Sequence, residues 1–160
     1  MNSFTTNKGN LTPNQAKLKI VNFCNYQERC QAEVKDKLYT YGLNTSDVNE
    51  VLAFAVSEGL VNEERFAILF AGGKFRQKKW GRLKIKRELK QKQISDYCIK
   101  KALLEIDDEK YIEHLESIAE KYSRTLKDKL NYIKNQKVMK HLLSKGYEMD
   151  LIQDYIKGLK

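Results

Sequence analysis

The chain has 160 residues, 41% of them apolar and 32% charged, which suffices for one modest core or a short array of repeats. One proline and eight glycines exclude a turn-rich all-β fold and a low-complexity chain. The formal net charge of +9 suits a nucleic acid, an anionic membrane surface or an acidic protein as partner, and says nothing about fold. No apolar run approaches the roughly 20 residues of a membrane span. Met1 to Asn10 lack the apolar stretch of a signal peptide, so residues 1–11 read as a disordered arm of a cytoplasmic protein.

The first helix is announced by Thr12 as N-cap, Pro13 at the first helical position and Gln15 completing a capping box. Leu18 and Val21, joined by Ile20 and Cys24, give its apolar stripe. A second helix is predicted over 28–41, with Val34, Leu38 and Tyr41 on one side and Gly42 as a left-handed stop. Asn44, Thr45 or Ser46 caps a third, whose face is Val48, Val51, Leu52, Ala55 and Val56, and Gly59 ends it. Asn62 opens a helix with Phe66, Leu69 and Phe70. A basic helix follows Gly81 with Ile85 and Leu89 inward. Ser95 caps another, with Ile99, Ala102, Leu103 and Ile106. Asp107 or Asp108 opens a long helix through Tyr111, Leu115, Ile118, Ala119 and Tyr122. Two more, over about 130–144 and 148–158, flank Gly146. About nine helices with short connections result.

These helices repeat. Aligning Leu38, Leu89 and Leu142 brings five other apolar columns into register. They are Val34, Ile85 and Val138; Leu43, Ile94 and Tyr147; Val48, Ile99 and Ile152; Val51, Ala102 and Tyr155; and Leu52, Leu103 and Ile156. Gly42 aligns with Gly146, but Gln93 holds that place in the middle copy, where a left-handed residue would cost on the order of 1 kcal/mol. A different turn is therefore open to that corner. The expected architecture is all-α: an elongated, curved array of three tandem three-helix, helix-turn-helix-like repeats over 12–60, 61–106 and 107–160.

No catalytic constellation is present. Gly72-Gly73-Lys74 lacks the spacing of a phosphate loop, and there is no HExxH or GxSxG. Acidic pairs such as Glu63-Glu64 and Asp107-Asp108 lie where helices begin and suit the dipole there. Cys24, Cys30 and Cys98 form no CxxC pair and read as small buried thiols, and His114 and His141 are not at ligand spacing. The expectation is a non-enzyme without metal or cofactor.

Charge is the clearest functional signal. Residues 74–101 carry a net +10 against +9 for the whole chain, which leaves −1 on the remainder. With Ile85 and Leu89 inward, Arg82, Lys86 and Lys90 form an i, i+4 row, Lys84 lies on the other flank and Arg87 points outward. Like charges at this spacing repel by a few tenths of a kcal/mol per pair. Arg76, Lys78 and Lys79 lead into the helix, and Trp80 reads as corner packing rather than a base-stacking platform. An anionic partner would relieve the repulsion. Base-specific DNA reading is poorly served, because the helix after Ser95 offers Asp96, Tyr97 and Lys100 at its start.

The segment Leu60-Val-Asn-Glu-Glu-Arg-Phe-Ala67 resembles the pattern Leu-Leu-Asp-Asp-x-Arg-Phe-Ala of the RecX regulatory proteins. Lys79-Trp-Gly-Arg-Leu-Lys-Ile-Lys-Arg-Glu-Leu-Lys-Gln-Lys-Gln-Ile94 resembles their Gly-x-x-x-Ile-x-x-Glu-Leu-x-x-Lys-Gly-Ile, and Gln27 to Leu38 their Arg-x-x-Ser-x-x-Glu-Leu-x-x-Lys-Leu. The resemblance spans roughly 12–158. Asn62-Glu63 replaces Asp-Asp, Cys30 stands where Ser is common, and Gln93 replaces Gly. The resemblance implies a protein that lies in the groove of the RecA nucleoprotein filament and suppresses recombinase, ATPase and co-protease activity, with direct single- or double-stranded DNA contact possible; the polar ends of the repeat array favour a monomer. The binding surface expected is Arg76, Lys78, Lys79, Arg82, Lys84, Lys86, Arg87 and Lys90. Arg65 either joins it or pairs with an acid on its own helix. The alternatives are a sequence-independent nucleic-acid binder, a helical-repeat adaptor for another protein, and a transcription factor.

Overall fold

The computed structural model describes residues 9–159; most of the expected N-terminal arm, residues 1–8, lies outside them. Among the described residues there are nine α-helices, one π-helical turn and no strand. The helices are α1 (Pro13–Tyr26), α2 (Gln31–Thr40), α3 (Thr45–Ser57), α4 (Glu63–Gly73), α5 (Arg82–Gln91), α6 (Asp96–Leu104), α7 (Asp108–Thr125), α8 (Asn131–Lys145) and α9 (Met149–Gly158). The chain divides into two compact units, Met1–Phe66 and Ala67–Lys160.

In the first unit α1, α2 and α3 pack on one another. The capping box at Thr12 is present, with Gln15 N–H reaching the Thr12 hydroxyl at 3.3 Å and Thr12 N–H reaching the Gln15 side chain at 3.0 Å. The buried row of α1 is Ala16, Ile20 and Cys24, at i, i+4, i+8. Leu18, expected inward, is 74% exposed. A wheel that places Ile20 and Cys24 inward turns position 18 toward solvent, and the small Ala16 is what lets α3 approach. Val56 of α3 is likewise exposed. The core closes with Val34, Leu38, Leu43, Val48, Val51 and Val61. Leu11 packs against it, and its N–H donates to the Tyr41 carbonyl at 3.0 Å.

In the second unit α5 packs on α6, α7 on α8 and α8 on α9. Four of the six repeat columns are buried in all three copies: those headed by Val34, Leu38, Leu43 and Val48. The columns of Val51 and Leu52 are fully buried in the first copy; Leu103, Tyr155 and Ile156 are half-buried. The corner at Gln93 does not turn differently. Its φ of 61° is left-handed, as at Gly42 (80°) and Gly146 (93°). Gln93 N–H bonds the Lys90 carbonyl and Ile94 N–H the Leu89 carbonyl, the same two bonds made by Gly146 and Tyr147 to Leu143 and Leu142. Burial of Ile94 and the corner's hydrogen bonds outweigh the small left-handed cost.

The start of α5 and the end of α8 meet without side chains between them. Gly81 N–H donates to the Lys145 carbonyl at 2.8 Å and Leu83 N–H to the Gly146 carbonyl at 3.0 Å. A Cβ on Gly81 would lie 2.3 Å from the Gly146 carbonyl carbon and oxygen. Beside this contact Tyr111 and Tyr147 are buried with ring centroids 5.0 Å apart. The Tyr147 hydroxyl donates to the Lys79 carbonyl at 2.8 Å.

Candidate partner-binding surface

The basic segment begins where α4 ends. After Gly73 the backbone widens into a π-helical turn, Lys74–Lys78, and stops at Lys79 in the left-handed region with φ 54°. Such turns are uncommon and concentrate at functional sites. Phe75 points into the core; Arg76 and Lys78 face solvent. Arg76 folds over Gly72, whose missing side chain makes room: a Cβ there would be 2.8 Å from the Arg76 Nη1. The Lys79 carbonyl accepts from the Tyr147 hydroxyl.

Gly81 then caps α5, and the two flanks of that helix diverge. On one flank Arg82, Lys86 and Lys90 line a cleft of about 550 Å³ shared with α6. Its floor is apolar, from Ile99 and Leu103, and Lys100 lines it from α6. Leu104 is 75% exposed at the mouth.

The expectation of an uncompensated basic row is corrected here. Arg82 is an internal tie. Its guanidinium pairs with Asp108 at 2.5 Å and Glu148 at 3.5 Å and lies 3.9 Å above the Tyr111 ring. Its N–H donates to the Tyr111 hydroxyl at 2.9 Å, which in turn donates to Glu148. Lys90 approaches Asp96 at 3.7 Å. The acids at the starts of α6 and α7 thus offset the two ends of the row. Lys86 and Lys100 carry the cleft's remaining charge, and Arg87 points to solvent.

Sequence reasoning missed this tie, because Tyr111, Tyr147 and Glu148 are distant from Arg82 in the chain and each fits an ordinary helical position. Burial, first, and the Glu148 hydrogen bond push the Tyr111 phenol far above its usual range; burial does the same to Tyr147. His114 packs 4.4 Å from the Phe75 ring with a buried Nδ1 lacking any hydrogen-bond partner among the described residues. Burial, then Lys79, lowers its pKa.

On the other flank of α5, Lys84 Nζ lies 4.5 Å from the Trp80 ring centroid, and Lys74 Nζ lies 5.0 Å from the same ring. Lys74 also reaches Phe70 at 5.3 Å, and Lys92 reaches Phe70 at 5.7 Å.

Arg65 is in the first unit, and its ion pair is not with an acid on its own helix. Its guanidinium pairs with Glu28 at 2.8 Å, between α1 and α2, and donates to the Gly59 carbonyl at 3.0 Å. The cysteines are buried and free, as expected for apolar thiols. No cluster of three metal-ligating side chains occurs among the described residues, and no helix is long and apolar enough to cross a membrane.

The described residues thus form an all-α protein of tandem three-helix units, with a cleft between α5 and α6 lined in part by the basic segment. Comparison with known proteins makes this specific. Two family models match: the second three-helix domain of RecX over residues 62–103 and the third over 108–156. The chain belongs to the RecX family of regulatory proteins. It is similar to the regulatory protein RecX of Bacillus thuringiensis (strain Al Hakam) and of Bacillus anthracis (strain A0248), with 28% identity over 156 residues in each case. Those matches cover 95% of this chain and 58% of the relatives' length. Among solved structures, that of RecX from Lactobacillus salivarius superposes with a TM-score of 0.82 at 25% identity, covering 92% of this chain and 96% of that one. A second structure, of a regulatory protein RecX, gives 0.78 at 21% identity over 89% and 73%, and bears on fold alone.

Proposed function

We propose that this protein is a negative regulator of the RecA recombinase, acting as a monomer in the cytoplasm by lying in the groove of the RecA filament on DNA. The family supplies the partner. The observation that carries the mode of contact is the α5–α6 cleft, a cationic wall over an apolar floor. Lys86 and Lys100 supply unpaired charge, and Ile99, Leu103 and exposed Leu104 supply the surface an apolar side chain would cover. Nucleic-acid phosphate would use the lysines and leave the floor empty. An acidic protein surface with a projecting apolar residue uses both. Arg76, Lys78 and Arg87 add outward charge that steers the approach. Arg82 and Arg65 hold the scaffold instead of reaching the partner. A bound chain would hinder strand exchange, nucleotide turnover and access of co-protease substrates by occupying the groove.

Reversing the cleft charge with Lys86→Glu and Lys100→Glu tests the reading. Inhibition of the DNA-dependent ATPase of RecA should weaken at least tenfold while the helical circular-dichroism signal is unchanged. Unaltered inhibition would remove the cleft from the interface. The second reading, a nucleic-acid binder indifferent to RecA, predicts equal binding to naked DNA and to filaments, with a steep salt slope.

A further inference from the structure

Two surfaces formed by α7, α8 and α9 stay uncovered among the described residues. The first is the end of the α7–α8 hairpin. The last buried residue of α7 is Ala119 and the first of α8 is Val138, so no residue of 120–137 is fully buried. The hairpin end is nevertheless built. Tyr122 stacks on His141 with ring centroids 4.0 Å apart, and Lys137 pairs with Asp128 at 2.8 Å. Leu130 and Tyr132 are 63% and 73% exposed there, and Ile133 is exposed next to them in the chain. Arg124, Lys127, Lys129 and Lys134 surround them in sequence against the single acid Asp128. The second surface is a groove of about 400 Å³ between α7 and α9. Its apolar lining is Ile112, Leu115, Leu151, Tyr155 and Leu159, and Glu116 and Asp154 bring negative charge to it. Burial, then Glu120 and Glu116, holds the Tyr155 phenol above its usual pKa, which sets both acids near that ring.

We infer that the hairpin end of one copy seats in the α7–α9 groove of a second copy of this chain. The surfaces match in kind: an apolar projection flanked by lysines, and an apolar groove flanked by carboxylates. The groove has room for about two large side chains, which Tyr132 and one of its neighbours Leu130 and Ile133 supply. A copy does not fill its own groove. Glu116 lies ten residues before Leu126 in the chain, roughly 15 Å along the axis of α7 and its end at 1.5 Å per residue. Other occupants use half of the match. A nucleic acid takes the lysines and leaves Leu130 and Ile133 in water. An anionic lipid surface takes the hairpin end and is repelled by Glu116 and Asp154, so the groove stays uncovered. The contact joins unlike surfaces, so each added copy leaves a free groove on one side and a free hairpin end on the other. With few side chains buried, it falls among the smallest specific interfaces, under about 1,200 Å² in total. The dilute protein is therefore a monomer, in keeping with the proposed function, and copies join only when crowded. The inference needs neither RecA nor the α5–α6 cleft.

Sedimentation velocity of the full-length protein, free of RecA and DNA, tests the contact from about 5 to about 500 µM at low salt. The average sedimentation coefficient should rise with concentration, and less so at high salt. Two charge-reversed variants separate the halves: Lys127→Glu with Lys129→Glu on the hairpin end, and Glu116→Lys with Asp154→Lys in the groove. Each alone should stay monomeric with an unchanged helical circular-dichroism signal. An equimolar mixture of the two should associate again, because each reversed surface then meets one of opposite sign. Tyr132→Ser should weaken association at least threefold, which a purely ionic contact would not show. A sedimentation coefficient flat across the whole range, or a mixture no more associated than either variant, would overturn the contact. Monomeric sedimentation together with pelleting on phosphatidylglycerol vesicles would also overturn it and assign the hairpin end to a lipid surface.

Discussion

At the residue scale, the second unit depends on two kinds of contact that tolerate little change. Gly81 has an ordinary negative φ of −76°, so its lack of a Cβ matters through space, not conformation. Gly81→Ala would drive a methyl group into the Gly146 carbonyl, and overpacking of this kind costs about 1–3 kcal/mol or more. A lower urea midpoint, read by Trp80 fluorescence, checks it. Tyr111→Phe deletes a hydroxyl that both accepts from Arg82 N–H and donates to Glu148, and should cost about 1–3 kcal/mol by the same measurement. The same phenols set a pH limit. Tyr111 and Tyr147 ionise less readily folded than unfolded, so their contribution is complete below the usual tyrosine value near 10 and is lost as pH rises beyond it. Urea midpoints should therefore hold from pH 8 to 9.5 and fall above about 10, and less steeply in Tyr147→Phe. His114 works in the other direction. Its folded pKa is depressed, so stability is present above its ordinary value near 6.5 and declines as pH falls through it.

At the element scale, most of the fold was legible. Thr12, Asn44, Ser95 and Asp107 each accept the cap hydrogen bond their position promised. The repeat columns identified the buried rows because the same i, i+4 spacing recurs three times. What was not legible had physical reasons. In α1 several apolar residues compete for the inward side, and only the partner helix decides that Ile20 enters and Leu18 does not. At Gln93 residue preference argued against a left-handed turn, yet tertiary burial of Ile94 enforced it. The basic segment was found from composition, but the pairing of Arg82 with Asp108 and Glu148 needs three dimensions. The Arg65 pair was hidden for the same reason, since Glu28 lies 37 residues away. Arg65 spans two connections by way of Glu28 and the Gly59 carbonyl. Arg65→Ala should thus cost about 1 kcal/mol in thermal unfolding, modest because the pair is partly exposed.

For the whole molecule, the net +9 resolves into groups with different tasks. Arg82 and Arg65 make ion pairs within the protein. Lys86 and Lys100 face the cleft, and Lys74, Lys84 and Lys92 dress an aromatic ladder on the other flank of α5. A repeat protein of this size has few deep cavities, so recognition falls to the surfaces its helix flanks expose. The proposed RecA partner would meet both the lysines and the apolar floor of the cleft.

Co-sedimentation tests whether the α5–α6 cleft engages the RecA filament as proposed. RecA filaments assembled on single-stranded DNA with a slowly hydrolysed nucleotide are pelleted with this protein and with the Lys86→Glu, Lys100→Glu variant. The unaltered protein should pellet with filaments far more than with DNA alone. The variant should stay largely in the supernatant. Equal pelleting of both proteins, or pelleting that does not depend on RecA, would contradict it.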